Sequence, residues 1–72
     1  MLKLPILTSR QVVKILKKKG FEPVRQTGSH LTFNNRLTRK ITVVPIHSDD
    51  IAKGTMKSII KQAGLSIGDF IK

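Results

Sequence analysis

A histidine preceded by glycine and serine, Gly28-Ser29-His30, is the most chemically suggestive triplet in the sequence. An ordinary imidazole titrates near pH ~6.5, so it can take up or give away a proton around neutrality. Set against RNA it suits one chemical step, removal of the proton of a ribose 2′-hydroxyl so that the oxygen attacks the adjacent phosphorus. Lysine or arginine nearby would stabilise the charge that develops on the phosphoryl oxygens. The scheme requires a 2′-hydroxyl, which makes RNA rather than DNA the substrate, and it calls for no metal and no cofactor. Gly28 permits close approach of a ligand backbone, with Ser29 beside it. Taken alone, a histidine in such a place is ordinarily a tolerated surface residue.

Other residues could join it. His47 ends the run Val43-Val44-Pro45-Ile46-His47 and is a candidate second acid/base that protonates the leaving 5′-oxygen. The alternation leaves its face open, because Ile41/Val43 and Val44/Ile46 are both apolar sets and Pro45 could sit at a bulge; a structural role holding a loop carbonyl is the rival. Lys53-Gly54-Thr55 precedes a helical pattern, and free amides at a helix N-terminus with Lys53, Lys57 and Lys61 along the flank make a phosphate site. An ordinary glycine cap with a solvated lysine face explains the same residues. Arg36, Arg39 and Lys40 form a basic cluster, readable as RNA-binding or as a solvated hairpin. Asp49-Asp50, the one pair of adjacent carboxylates, reads as a turn or as an acidic approach to the following helix, since a two-metal nuclease needs further ligands.

The composition narrows the field. Fourteen Lys/Arg against four Asp/Glu give a formal charge of +10 on 72 residues, which draws polyanions, nucleic acid first among them. An acidic membrane surface or an acidic protein partner is the alternative. Three phenylalanines with no Tyr or Trp supply a poor base-stacking platform, so backbone and shape recognition is favoured over base reading. No cysteine is present, which removes disulfides and thiolate zinc sites and fits a reducing cytoplasm. No apolar run approaches the ~20 residues that span a bilayer, and Met1 to Leu7 is too short and too interrupted by Pro5 for a signal peptide. One small domain in the cytoplasm, with no membrane association, is the expectation.

The elements that must position these groups follow from periodicity. Thr8 and Gln11 have capping-box spacing, and Gly20 offers a left-handed terminator, predicting a helix from about Ser9 to Lys19. Its apolar stripe is Val12, Ile15 and Leu16 with Val13 alongside, while Arg10, Lys14, Lys17 and Lys18 recur on the other side. Period-two runs then predict strands over Phe21 to Gln26, His30 to Asn34 and Lys40 to Ile46, joined by short hairpins. Pro23 and Pro45 fall in the outer runs and the middle one has none, which supports the order 1-2-3. If Leu31 and Phe33 face the core, His30 and Thr32 must face water. Met56, Ile59, Ile60 and Ala63 mark a second helix opening near Gly54-Thr55 and stopped by Gly64. Ser66 and Asp69 repeat the capping pattern before a last helical turn that returns Leu65 and Phe70 to the core. The fold class is α+β, α-β-β-β-α, with two helices on one face of a three-stranded antiparallel sheet.

In this order the residues resemble the HicA family of small mRNA interferase toxins. The likeness runs through Leu16-Lys17-Lys18-Lys19-Gly20-Phe21, Gly28-Ser29-His30, Val43 to His47, and Lys53 to Gly64. It implies a single toxin domain over residues 1–72 with a fold similar to the double-stranded-RNA-binding domain. It further implies metal-independent cleavage of mRNA with His30 as the catalytic residue, and a HicB-type antitoxin that binds the toxin and blocks the site. Many relatives carry a second histidine or another polar residue directly after the catalytic one, where this chain has Leu31. A non-catalytic RNA- or DNA-binding module using the same basic surface is the alternative, and a pure protein-interaction domain a third.

Overall fold

The computed structural model describes residues 3–47 and 49–71. Helix α1 spans Ser9–Lys18, and strands β1 (Phe21–Thr27), β2 (His30–Asn35) and β3 (Ile41–Pro45) follow. Helix α2 spans Lys53–Ala63, and a 3-10 turn closes the order at Ile67–Phe70. The expected architecture is the observed one, with boundaries moved by a residue or two. Thr27 and Asn35 join their strands, Lys40 and Ile46 fall outside β3, and α2 begins at Lys53. Both capping boxes form. Gln11 N–H donates to Thr8 Oγ1 while Gln11 Oε1 accepts from Thr8 N–H, and Asp69 accepts from Ser66 N–H at 2.8 Å.

The sheet is antiparallel in the order β1-β2-β3, which leaves the two proline-bearing strands at its edges, where a missing N–H costs no ladder bond. Both helices cover the same face. Phe33 and Val44 of the sheet, Val12 and Leu16 of α1, and Met56, Ile59 and Ala63 of α2 form the buried core, with Phe21, Ile51 and Phe70 closing it. Phe33 is fully buried at the centre of this cluster. Losing such a side chain removes its transfer energy and leaves a cavity, about 3–5 kcal/mol for phenylalanine to alanine. Thr42 is also buried, and its hydroxyl bonds Gln62 Oε1 at 2.9 Å, tying β3 to α2.

One irregularity decides what the sheet displays. Alternation from the buried Phe21 would send Arg25 to the core face, but the β1–β2 register slips between Pro23 and Arg25. Val24 is the extra residue and is exposed. Beyond it Arg25 pairs with Thr32 and Gln26 with Leu31, so the arginine turns to the open face and the glutamine to the helix side. The bulge that the sequence allowed for at Pro45 does not form; β2 and β3 pair without a slip from His30↔Pro45 to Asn34↔Ile41.

Candidate active site and nucleic-acid interface

His30 is the first residue of the central strand, immediately after the turn at Gly28-Ser29. Gly28 takes a φ of 58°, a left-handed value that a side chain would strain, and a Cβ placed there would meet nothing within 4 Å. The turn is therefore both tight and open to solvent. Gln26 Nε2 braces it by donating to Gly28 O at 3.0 Å. Because Leu31 and Phe33 pack toward the helices, His30 stands on the uncovered face, exposed, opposite Thr27 on one side and Pro45 on the other.

The nearest cation across the strands is one the sequence did not single out. Arg25 lies diagonally from His30 on the same face, about 7–8 Å away between backbones by the usual spacing of paired strands. It is exposed and forms neither of the ion pairs found among the described residues, Lys19–Asp69 and Arg36–Glu22. Strict alternation from Phe21 would put Arg25 on the opposite face. Only the slip at Val24 reveals it, and the sole hint in the sequence is Pro23, a residue that favours edges and bulges.

Some of the expected phosphate contacts lie elsewhere. Arg36, Arg39 and Lys40 occupy the β2–β3 connection, at the opposite end of β2 from His30 and about 17 Å away along the strand. Arg36 is engaged there with Glu22 at 2.7 Å. The stem of Lys40 lies over Gly64 at the C-terminal end of α2, where a Cβ would come within 2.5 Å of its Cε. Arg39 holds a left-handed backbone with a φ of 61° and donates its N–H to Asn35 O at 2.7 Å.

The other end of α2 is better placed. Its N-cap is Ala52, which offers no side-chain bond, so the amides of Lys53, Gly54 and Thr55 open the helix without a capping partner. Gly54 is exposed with nothing within 4 Å of an added Cβ, and Lys57 is exposed one position after the buried Met56. The bridge between Thr8 and Asp50 and the bond from Ile51 N–H to Leu7 O bring this N-terminus beside that of α1. Lys61, a turn further on, sits toward the Lys40 end. Asp49 and Asp50 precede the cap rather than lying in the first turn of α2.

His47 does not sit opposite His30 in the ladder, which runs out at the pair His30↔Pro45. Its backbone N–H donates to Ser9 Oγ at 3.3 Å, and the same hydroxyl donates to Pro45 O, so the first residue of α1 clips the end of β3. The exposed His47 ring lines a cleft of about 630 Å³ between the start of α1 and the end of the sheet. Among the described residues, no three His, Asp or Glu side chains gather as metal ligands would. None of the described helices is long and apolar enough to cross a membrane.

No curated protein matches the chain. The family model described as the HicA toxin of bacterial toxin-antitoxin matches residues 9–65. That span opens on the first residue of α1 and ends just past α2, so it takes in the whole helix–sheet–helix core together with the Gly28–His30 turn. The chain belongs to the HicA toxin family.

Proposed function

We propose that this toxin is an endoribonuclease acting on mRNA, with His30 as its general acid/base. The observation that supports this best is the placement of His30: an exposed imidazole on the uncovered sheet face, at the mouth of an open glycine turn and diagonal to Arg25, in a chain of the HicA family. His30 takes the proton from a ribose 2′-hydroxyl, and that oxygen bonds to the adjacent phosphorus as the bond to the 5′-oxygen breaks. The products are a 2′,3′-cyclic phosphate and a 5′-hydroxyl, the latter receiving its proton from the imidazolium or from water. Arg25 stabilises the phosphoryl oxygens as charge builds on them. Gly28 and Ser29 let the ribose–phosphate backbone approach, and Lys53, Gly54, Thr55 and Lys57 hold a phosphate further along the strand.

The HicA family generally implies a HicB-type antitoxin as partner. Such a partner would silence the enzyme by covering His30, and release of the toxin in the cytoplasm would stop translation through loss of mRNA.

Incubating the purified protein with end-labelled mRNA in EDTA, beside His30→Ala, tests the assignment. Cleavage by the wild type that disappears in the variant is expected. RNA binding without cleavage by the wild type would overturn the enzyme and leave a binding module. Cleavage that persists in His30→Ala would overturn the residue.

A further inference from the structure

The cleft beside His47 has no part in the chemistry assigned to His30, yet it begins one residue away. Strand residues alternate, so while Thr27 and His30 face outward, their neighbours Gln26 and Leu31 pair on the inner side and line the cleft. Val13, Leu31 and Ile46 are half-buried and form an apolar floor; Arg10, Gln26 and His47 are exposed and form a polar rim. At about 630 Å³ the space falls within the usual range for small-ligand pockets, roughly 300–1,000 Å³.

We infer that this cleft receives a nucleobase of single-stranded RNA, the base of a nucleotide next to the one cut at His30. The inference rests on the proposed nuclease reading and names where that enzyme would find its sequence preference. Three features select a base. An apolar floor with a few polar groups at the rim matches the flat faces and hydrogen-bonding edges of a nucleobase. The Gln26 amide keeps its Oε1 as an acceptor after Nε2 is committed to Gly28 O, and the imidazole of His47 can donate and accept. The guanidinium of Arg10 is planar and can stack on a base, a role that no Tyr or Trp is present to fill.

The position explains why RNA would enter. His30 and Arg25 lie on the open face of the sheet, whereas the cations of α1 and α2 lie in the helical layer behind it. A strand touching both layers must turn around the end of the sheet, and the cleft is at that end. A backbone making such a turn splays its bases, and a splayed base needs an apolar place to lodge. Arg10 at the rim adds positive charge where the phosphates pass.

Two arms test this. In the first, wild type, Gln26→Ala and Val13→Phe, each checked for folding by circular dichroism, cleave an RNA of randomised sequence. The wild type should prefer one base beside the cut by about tenfold, and each variant should flatten that preference to about threefold or less. In the second, uncleavable 2′-O-methyl RNAs carry one abasic nucleotide at successive positions. At one position the abasic change should weaken wild-type binding about tenfold and Val13→Phe binding less than twofold, since the filled cleft has already lost the base. A wild type that cleaves with the same preference as both variants, and an abasic penalty equal in wild type and Val13→Phe, would overturn the base site and leave a protein segment as occupant. If the wild type cuts nothing, the nuclease reading fails by itself. The abasic arm then still decides whether the cleft holds a base.

Discussion

The two ends of β2 carry the same kind of charge and are built in opposite ways. At the Asn35 end the polar groups are spent on structure. Asn35 is buried, its Nδ2 donates to Lys19 O at 3.2 Å, and its Oδ1 accepts from Leu37 N–H at 2.9 Å and Thr38 N–H at 3.2 Å. Arg36 is paired with Glu22, Lys40 covers the end of α2, and Lys19 reaches Asp69 at 3.2 Å. At the His30 end the turn is held by Gln26 and by the bond from Ile46 N–H to Ser29 O, the N-terminus of α2 has no side-chain cap, and Arg25 is in neither ion pair. Positive charge that is already neutralised adds little to ligand binding. Unspent charge beside His30 is what the proposed cleavage of a phosphodiester needs. A count of lysines and arginines treats the two ends alike; the ion pairs of Arg36 and Lys19 set those two apart from Arg25, while Arg39 and Lys40 belong to neither pair.

If the ends differ as described, substitutions should dissociate activity from stability. The largest effect belongs to His30→Ala, expected to lower RNA cleavage by about 10²–10⁴-fold in single-turnover assays while thermal stability barely moves, because the side chain is exposed. Asn35→Ala should do the reverse. Removing the hub leaves orphaned partners at a buried site and costs about 2–3 kcal/mol by urea denaturation, with cleavage per folded molecule unchanged. Equal activity losses in the two variants would erase the distinction between the ends.

Smaller effects refine it. Arg25→Ala should weaken binding of 2′-O-methyl RNA by about tenfold and reduce the slope of affinity against salt by roughly one phosphate, whereas Arg36→Ala, whose charge is engaged by Glu22, should change affinity less than about twofold. Lys57→Ala should fall between them without loss of fold. A larger defect in Arg36→Ala than in Arg25→Ala would move the RNA path to the far hairpin.

The smallest effect is a dependence on acid. The Ser66 backbone N–H, and after it Lys19, hold the Asp69 carboxyl below its ordinary 3.8. A carboxyl whose pKa is lower folded than unfolded contributes all its stabilisation above the unfolded value, and loses it as pH falls through the folded one. The melting temperature of the wild type should therefore exceed that of Asp69→Asn at neutral pH, with the gap closing below about pH 4. A gap that persists unchanged into strong acid would show that the cap does not depend on charge.

Much of the molecule was legible in its residues because those signals are local. A capping box needs two residues three apart, an apolar stripe needs one helix, and a proline in a strand excludes the centre of a sheet; Thr8 with Gln11, Met56 to Ala63, and Pro23 with Pro45 all formed what they foretold. The exposure of His30 followed from the same alternation that buries Leu31 and Phe33. What escaped was whatever depended on register or on chain segments meeting. One extra residue at Val24 reverses every side chain after it, which put Arg25 outside and Gln26 inside. The cleft opens where Ser9 of α1 is clipped to the end of β3, residues 36 positions apart.

The sequence by itself thus determined the element order, the helical faces and the outward histidine, since each is settled by periodicity within a few neighbouring residues. The tertiary structure alone decided which cations stand near that histidine, which are spent in holding the far hairpin, and where a pocket opens. Those outcomes hang on pairing register and on distant contacts, and a one-residue slip changes them while leaving composition and periodicity untouched.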